Sequence, residues 1–212
     1  MSRTGVWILG ARGGVATTMI VGALALKHGL AESTGLITST DLFDGVPLAG
    51  VDDLIFGGHD VRTTSLPECA REISCATGTL HPALLAAIEP DLAEIETHLR
   101  TGVLHHSGHA IETLAGVDVS AGETDPGAAV ARIVTDLEEF GREQKIDRLV
   151  VVNLASTEPQ IKDHPAHHSV DGLEQALKDG DGTAFIASSL YAIAAARVGA
   201  AFLNFTPSPG AL

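Results

Sequence analysis

Residues 5–18 constrain the fold of this 212-residue chain more than any other stretch. Gly5-Val-Trp-Ile-Leu-Gly10 is a short apolar run ending in glycine. Such a run suits a strand buried on both faces of a parallel sheet. Gly10-Ala-Arg-Gly-Gly-Val-Ala-Thr-Thr18 follows, and Thr17 to His28 is dense in Ala, Leu, Val and Ile. That density predicts a helix, closed by Gly29 just past its end. A glycine turn between strand and helix is the context that a dinucleotide fingerprint requires. Gly10 permits the tight turn, and Gly13 and Gly14 let backbone approach a pyrophosphate without a Cβ clash. Ala16 permits close helix–sheet packing, and free N–H groups at the helix start would hold the anion. Arg12 stands where the fingerprint has its second glycine, and the spacing is about one residue longer than in the standard pattern. Arg12 therefore reads either as a phosphate partner or as a solvated side chain. The plainer alternative is a glycine turn that binds nothing.

The rest of the chain alternates apolar runs with helical patterns. Strands are predicted at 35–40, 53–57, 148–154 and 201–205. Asp91 and Glu94 form a capping-box pattern for a helix running to about Arg100. Residues 102–124, rich in Gly, Ser and Thr, read as irregular. Asp125-Pro126 starts a further helix, whose Val130, Ile133, Val134, Leu137 and Phe140 share one face. Two more helices are expected near 170–178 and 183–198. Alternating buried strands and helices imply an α/β fold with a doubly wound parallel sheet of the Rossmann type. The first strand should lie beside those at 35–40 and 149–154. The expected organisation is one dinucleotide-binding domain over 1–212, with a helical insertion at 67–145.

Charge narrows the function. With 13 Lys plus Arg against 27 Asp plus Glu, the net charge is −14, which argues against a nucleic-acid or anionic-membrane surface. A bound phosphate must rely on backbone donors. Cys69 and Cys75 have neither zinc spacing nor enough partners for a disulfide scaffold. No signal-peptide pattern opens the chain, and the longest apolar run, Met19 to Leu26, is too short to span a membrane. A cytoplasmic location is expected. A P-loop is excluded because no lysine precedes Lys27. A Tyr-x-x-x-Lys pair is missing, since Tyr191 is followed four residues later by Ala195. An S-adenosylmethionine-binding methyltransferase stays open, and Asp41 could hold a ribose in either case. His105, His106 and His109, like His164, His167 and His168, read as solvated loops, so no metal is expected. Glu158 is either a site carboxylate or the cap of the next turn.

Three further segments end predicted strands: Phe56-Gly-Gly-His-Asp-Val-Arg62, Val152-Asn-Leu-Ala-Ser-Thr-Glu-Pro159 and Phe202-Leu-Asn-Phe-Thr-Pro-Ser-Pro-Gly210. With the glycine turn, they resemble the myo-inositol-1-phosphate synthase (inositol-3-phosphate synthase) family, in particular its bacterial branch, over nearly the whole chain. The resemblance implies NAD as cofactor and conversion of glucose 6-phosphate to 1D-myo-inositol 3-phosphate by oxidation, enolisation, aldol cyclisation and re-reduction. It implies that Gly10, Gly13 and Gly14, with Ala11, Arg12 and Val15 of the same turn, lie at the pyrophosphate. It places Asp60 near the adenosine ribose, Ala155, Ser156 and Thr157 on the nicotinamide side, and Thr206 and Ser208 in a second lining loop. The family's later lysine-bearing motif is missing, and the only lysines are Lys27, Lys145, Lys162 and Lys178. The catalytic residues thus stay unassigned. The chain is expected to be the front part of such an enzyme, taking glucose 6-phosphate or a related sugar phosphate only when complete, and compatible with a homo-oligomer. The alternative is a non-catalytic NAD-binding or regulatory protein derived from the family.

Overall fold

A computed structural model describes residues 2–115 and 124–210. Five strands form one parallel sheet in the order β3-β2-β1-β4-β5. They are β1 (Thr4–Leu9), β2 (Leu54–Asp60), β3 (Leu99–Thr101), β4 (Arg148–Asn153) and β5 (Ala201–Asn204). The helices are α1 (Gly14–Lys27), α2 (Leu66–Thr77), α3 (Pro82–Thr97), the short α4 (His109–Glu112), α5 (Pro126–Glu143), α6 (Val170–Asp179) and α7 (Ala187–Arg197). β1 is central and feeds two cores. Ile8 packs with Ile20, Leu66, Ile88 and Leu92 on the face covered by α1, α2 and α3. Trp7 and Leu9 pack with Ile133, Leu137, Phe185 and Leu190 on the face covered by α5 and α7. Alternate residues of one strand therefore bury in opposite layers, as period-2 geometry demands.

The predicted strand at 35–40 is not a strand. Residues 33–43 form three consecutive 3-10 turns and are almost wholly exposed. The neighbour of β1 on that side is β2. Its Gly57-Gly58 pair explains the choice. A Cβ at Gly57 would stand 3.0 Å from the Trp7 ring and 2.8 Å from Phe140, and one at Gly58 would run into the Ile8 carbonyl and the Ala11 methyl. Only glycines let this strand lie so close under a tryptophan. The run 35–40 brings no such gap.

The helix expected from Asp91 begins earlier. α3 is capped by His81, whose ring accepts the Ala83 N–H at 3.2 Å, and it opens on Pro82. It then runs through Pro90. Leu85, Ile88, Leu92 and Ile95 form one buried stripe along it, and that burial outweighs the hydrogen bond that Pro90 forfeits. Asp91 and Glu94 fall mid-helix, and Asp91 pairs with His28 at 3.1 Å. The stretch 67–145 is mostly helical but also supplies β3 to the sheet. Of the residues expected to be irregular at 102–124, 116–123 lie outside those described, and the others carry the single turn α4. α5 follows its expected cap, with Asp125 accepting the Ala128 N–H at 2.6 Å.

Register fixes where chemistry can occur. Leu9 stands opposite His59 on one side and Asn153 on the other, so β1, β2 and β4 end level with one another. This packing yields a stability test. Gly58→Ala forces a methyl group against β1 backbone and should cost about 2–3 kcal/mol, the scale of an overpacked core. Urea unfolding should show a lowered midpoint. A midpoint equal to that of wild type would contradict the β1–β2 contact.

Candidate functional site

The level ends of β1, β2 and β4 open onto a cavity of about 390 Å³, within the range of small-molecule sites. Its centre is the turn after β1. Gly10 has φ +76°, the left-handed region, and a Cβ there would sit 2.8 Å from the Ala155 Cα. Both needs call for glycine. The N–H groups of Gly10 and Ala11 donate to the His59 carbonyl at 2.9 and 3.2 Å, and Gly13 N–H donates back to the Gly10 carbonyl at 2.9 Å. α1 then starts with Gly13 as its cap residue and no side-chain cap. Its first-turn amides thus lack an intrahelical partner, and they carry the positive end of the helix dipole. A Cβ on Gly14 would meet nothing within 4 Å. Gly13, Gly14 and Val15 line the cavity, and Val15 is 68 % exposed. Ala11 is buried in the core behind them.

Asp60, at the end of β2, holds this turn in place. Its Oδ2 accepts the Arg12 N–H at 2.6 Å and its Oδ1 accepts the Arg62 N–H at 2.7 Å. The two arginines then cross. Arg12 donates to the Arg62 carbonyl at 2.9 Å, and Arg62 donates to the Arg12 carbonyl at 3.1 Å. The Arg12 guanidinium also pairs with Glu96 at 2.5 Å and its side chain is only 11 % exposed. It is therefore not solvated. Its two terminal nitrogens are taken by the Arg62 carbonyl and Glu96, its Nε–H is buried without a partner, and Arg12 does not line the cavity, so the phosphate-partner reading finds no free fork to rest on. The arginine in the fingerprint position braces the turn instead.

The far wall follows β4. Ala155 and Ser156 line the cavity, whereas Thr157 is exposed and does not line it. Thr206 and Ser208 do not line it but stand behind it. Asn153 Nδ2 donates to Asn204 Oδ1 at 3.2 Å and Thr206 Oγ1 at 3.4 Å. Ser208 Oγ accepts the Glu158 N–H at 2.9 Å. Glu158 in turn accepts the Ser188 N–H with Oε1 at 3.0 Å, so it caps α7. Glu158 and Ser188 both line the cavity. Asp41 lies in an exposed 3-10 turn outside it, and all four lysines are exposed and do not line it. Among the described residues no group of three or more His, Cys, Asp or Glu is arranged to hold a metal ion.

The residue that the sequence reading missed is His59. It is 1 % exposed and forms part of the cavity floor. Trp7 Nε1–H, which can only donate, reaches His59 Nδ1 at 2.9 Å. Nε2 therefore carries the proton and donates to Asp136 Oδ2 at 2.9 Å. Burial pushes the His59 pKa below its ordinary 6.5, against the raising effect of Asp136. Tyr191, also in the floor, accepts the Val103 N–H at 3.0 Å, and burial pushes its phenol up. The signal available in sequence was a histidine directly after the close-packed Gly57-Gly58 pair. His105, of the first histidine cluster, is likewise buried and hydrogen-bonded to the Gly182 carbonyl at 2.9 Å. It is not the solvated loop residue expected. His164 and His167 hold Asp181 and the Ala184 carbonyl.

Comparison with known proteins agrees with this geometry. The NAD-binding family model described as Myo-inositol-1-phosphate synthase matches residues 4–212. Inositol-3-phosphate synthase 1 of Bacteroides thetaiotaomicron is 31 % identical over 217 residues, covering 97 % of this chain and 48 % of that protein. The crystal structure of inositol-3-phosphate synthase from Caenorhabditis elegans superposes with a TM-score of 0.81 at 17 % identity, over 99 % of this chain and 45 % of that one. The chain thus spans about half the length of the relatives it matches. An uncapped helix start, an open Gly14 and level strand ends suit the cofactor that the family model names.

The floor gives a pH prediction. A histidine whose folded pKa is lowered binds fewer protons than its unfolded counterpart, so its stabilising effect is full above about pH 6.5 and falls as pH drops below it. Wild type should lose stability in urea between pH 7 and 5. His59→Gln should flatten that slope, leaving a remainder from His105, which burial shifts the same way. An identical slope in the variant would contradict a buried neutral His59.

Proposed function

The chain belongs to the myo-inositol-1-phosphate synthase family, and from that premise we propose that it forms the NAD-binding part of an inositol-3-phosphate synthase. One observation carries the reading: the uncapped start of α1 opens, through Gly13 and Gly14, onto a cavity at the point where the sheet order reverses between β1 and β4. That crevice is where doubly wound sheets bind dinucleotides. In this reading Gly10, Gly13 and Gly14 let the first-turn amides of α1 take the pyrophosphate. Asp60 faces the adenosine ribose. Its two oxygens already accept backbone amides, yet each keeps a lone pair for a hydroxyl. Ala155 and Ser156 flank the nicotinamide. When bound, NAD supplies a hydride acceptor that can later return the hydride. The chain's own part is to orient that cofactor and to keep water from one side of it, using Val103, Ile111 and Tyr191.

The cavity does not supply the rest of the reaction. Apart from the neutral His59, Arg62 is its only basic side chain among the described residues, and Arg62 is occupied by Glu72 at 3.2 Å and by the Arg12 carbonyl. A sugar phosphate and an enolate each need a positioned cation or donor set. The substrate, glucose 6-phosphate or a related sugar phosphate, thus awaits groups beyond these. The same observation favours a second reading, a non-catalytic NAD-binding or regulatory protein of this family.

Two measurements test this. Calorimetry should detect NAD and not S-adenosylmethionine. Gly14→Val should weaken NAD at least about tenfold, the loss of roughly one charge-assisted contact, with an unchanged melting temperature because its Cβ has room. Gly13 is the poorer probe, since a Cβ there would press on the Gly10 carbonyl at 3.0 Å. Undiminished affinity in Gly14→Val would remove the turn from the site. Second, the 212-residue chain with NAD and glucose 6-phosphate should release no inositol phosphate. Turnover comparable to that of the Bacteroides thetaiotaomicron synthase would contradict the assignment of this chain to cofactor binding alone.

A further inference from the structure

The segment that follows β3 has a hollow on each side. Ser107, Ile111 and Leu114 line the cofactor cavity, whereas His106, Gly108 and Glu112 line a second groove of about 570 Å³ together with Pro159 and Phe185. The segment crosses the site from wall to wall. The Gly102 N–H donates to the Asp60 carbonyl at 2.8 Å, and the His105 carbonyl accepts the N–H of Ala187, the first residue of α7, at 2.9 Å. Beyond His105 the hydrogen bonds turn local. The N–H groups of Ile111 to Ala115 all donate to carbonyls within 108–112, and Thr113 Oγ1 donates to the Ala110 carbonyl. Ser107 and Ile111 are the buried side chains of 106–114, and Leu114 is 53 % exposed. The backbone enters the left-handed region twice, at His106 with φ +49° and at Gly108 with φ +84°. A stretch with few buried apolar side chains, local hydrogen bonds and space behind it opens at little cost. His105 is held quite differently. It is buried, and its Nε2–H donates to the Gly182 carbonyl at 2.9 Å. A Cβ on Gly182 would stand 3.0 Å from the imidazole, so glycine lets the ring approach. The turn that carries Gly182 is itself pinned, with Asp181 paired to His164 at 3.3 Å and the Ala184 carbonyl accepting from His167 at 2.8 Å.

We propose that residues 106–114 form a lid over the cofactor cavity, hinged at His106 and Gly108, with His105 as the latch that keeps it closed. The proposal rests on the reading that NAD occupies this cavity. Hinges are loop positions that absorb a large change in φ and ψ, and the two left-handed residues flank Ser107. The outer groove gives the lid somewhere to go. Swinging into it withdraws Ile111 and Leu114 from the cavity wall and lets a dinucleotide pass. Closing returns Ile111 to the wall and keeps bulk water from the bound cofactor. The latch sits at the fixed end, where a buried imidazole meets a pinned turn. It acts on the free and the loaded protein alike. It therefore slows entry and exit together and leaves the binding equilibrium nearly unchanged.

Stopped-flow binding of NADH, followed by its own fluorescence, tests this on wild type, H105A and H105Q. H105A should raise the association and dissociation rates together by about fivefold, the scale of one ordinary hydrogen bond, and change Kd by less than about twofold. H105Q, whose amide can still donate to the Gly182 carbonyl, should bind at the wild-type rate. A residue that merely shaped the wall would raise dissociation alone. An unchanged association rate in H105A would therefore overturn the lid, and so would H105Q binding as fast as H105A. If H105A lost its cooperative thermal transition, I111A would decide. That variant removes the lid's apolar anchor and keeps its hydrogen bonds, so association should again quicken, and a wild-type association rate would overturn the proposal. If wild type bound no NADH at all, the NAD reading itself would fail and the lid with it. NADH binding whose rates ignore both His105 and Ile111 would sink the lid alone.

Discussion

The carboxylate of Asp60 is the contact on which the site depends. It ends β2 and takes the backbone N–H groups of Arg12 and Arg62 on its two oxygens. Charge-assisted bonds to backbone amides are about twice as strong as neutral ones, and this pair joins the turn after β1 to the end of its neighbouring strand. The crossed arginines close the same ring, and Glu96 extends it. One Glu96 oxygen holds Arg12 and the other accepts the Leu66 N–H at 2.7 Å, the first residue of α2. A single chain of charged groups thus aligns the start of α1, the end of β2, the start of α2 and the end of α3. Replacing Asp60, the buried member, would leave the Arg12 and Arg62 amides without their acceptor, and breaking such a pair costs more than its formation contributes.

That brace lets the other end of the turn stay bare. α1 spends no side chain on its first-turn amides, and Gly14 leaves open space above them. In a chain of net charge −14, backbone donors and a helix dipole can attract a diphosphate where the overall field cannot. The second wall is built the same way, from a hidden support. Asn153, Asn204, Thr206 and Ser208 bond to one another and to Glu158, so the last strand positions a carboxylate that belongs to the segment after β4.

Much of this was legible in the sequence, for stated reasons. β1, α1, α5 and β4 carry their own periodicity and punctuation, and all four are found within a few residues of where the pattern puts them. The cavity residues Gly10, Gly13, Gly14, Asp60, Ala155 and Ser156 were marked by glycine spacing or by family resemblance. What was not legible depended on tertiary fit. Leu36 and Ile37 look like strand residues, but only the glycine pair fits beside β1, Gly57 beneath Trp7 and Gly58 against the Ile8 carbonyl. Asp91 and Glu94 look like a helix start, but the stripe from Leu85 to Ile95 continues through them. Arg12 looked like a ligand or a solvated group because its partners, Glu96 and Arg62, are 84 and 50 residues away. His59 was invisible as a floor residue because its role comes from Trp7 and Asp136, one on a neighbouring strand and one on a distant helix.

The central claim is that the bare first turn of α1 receives the cofactor's diphosphate. Amide hydrogen exchange with and without NAD reads that turn directly. Gly14, Val15 and Ala16 are predicted to become protected on NAD addition, with ADP-ribose giving the same protection because it carries the same diphosphate. Unchanged exchange at these three amides under saturating NAD would contradict the account, whatever changes occurred elsewhere.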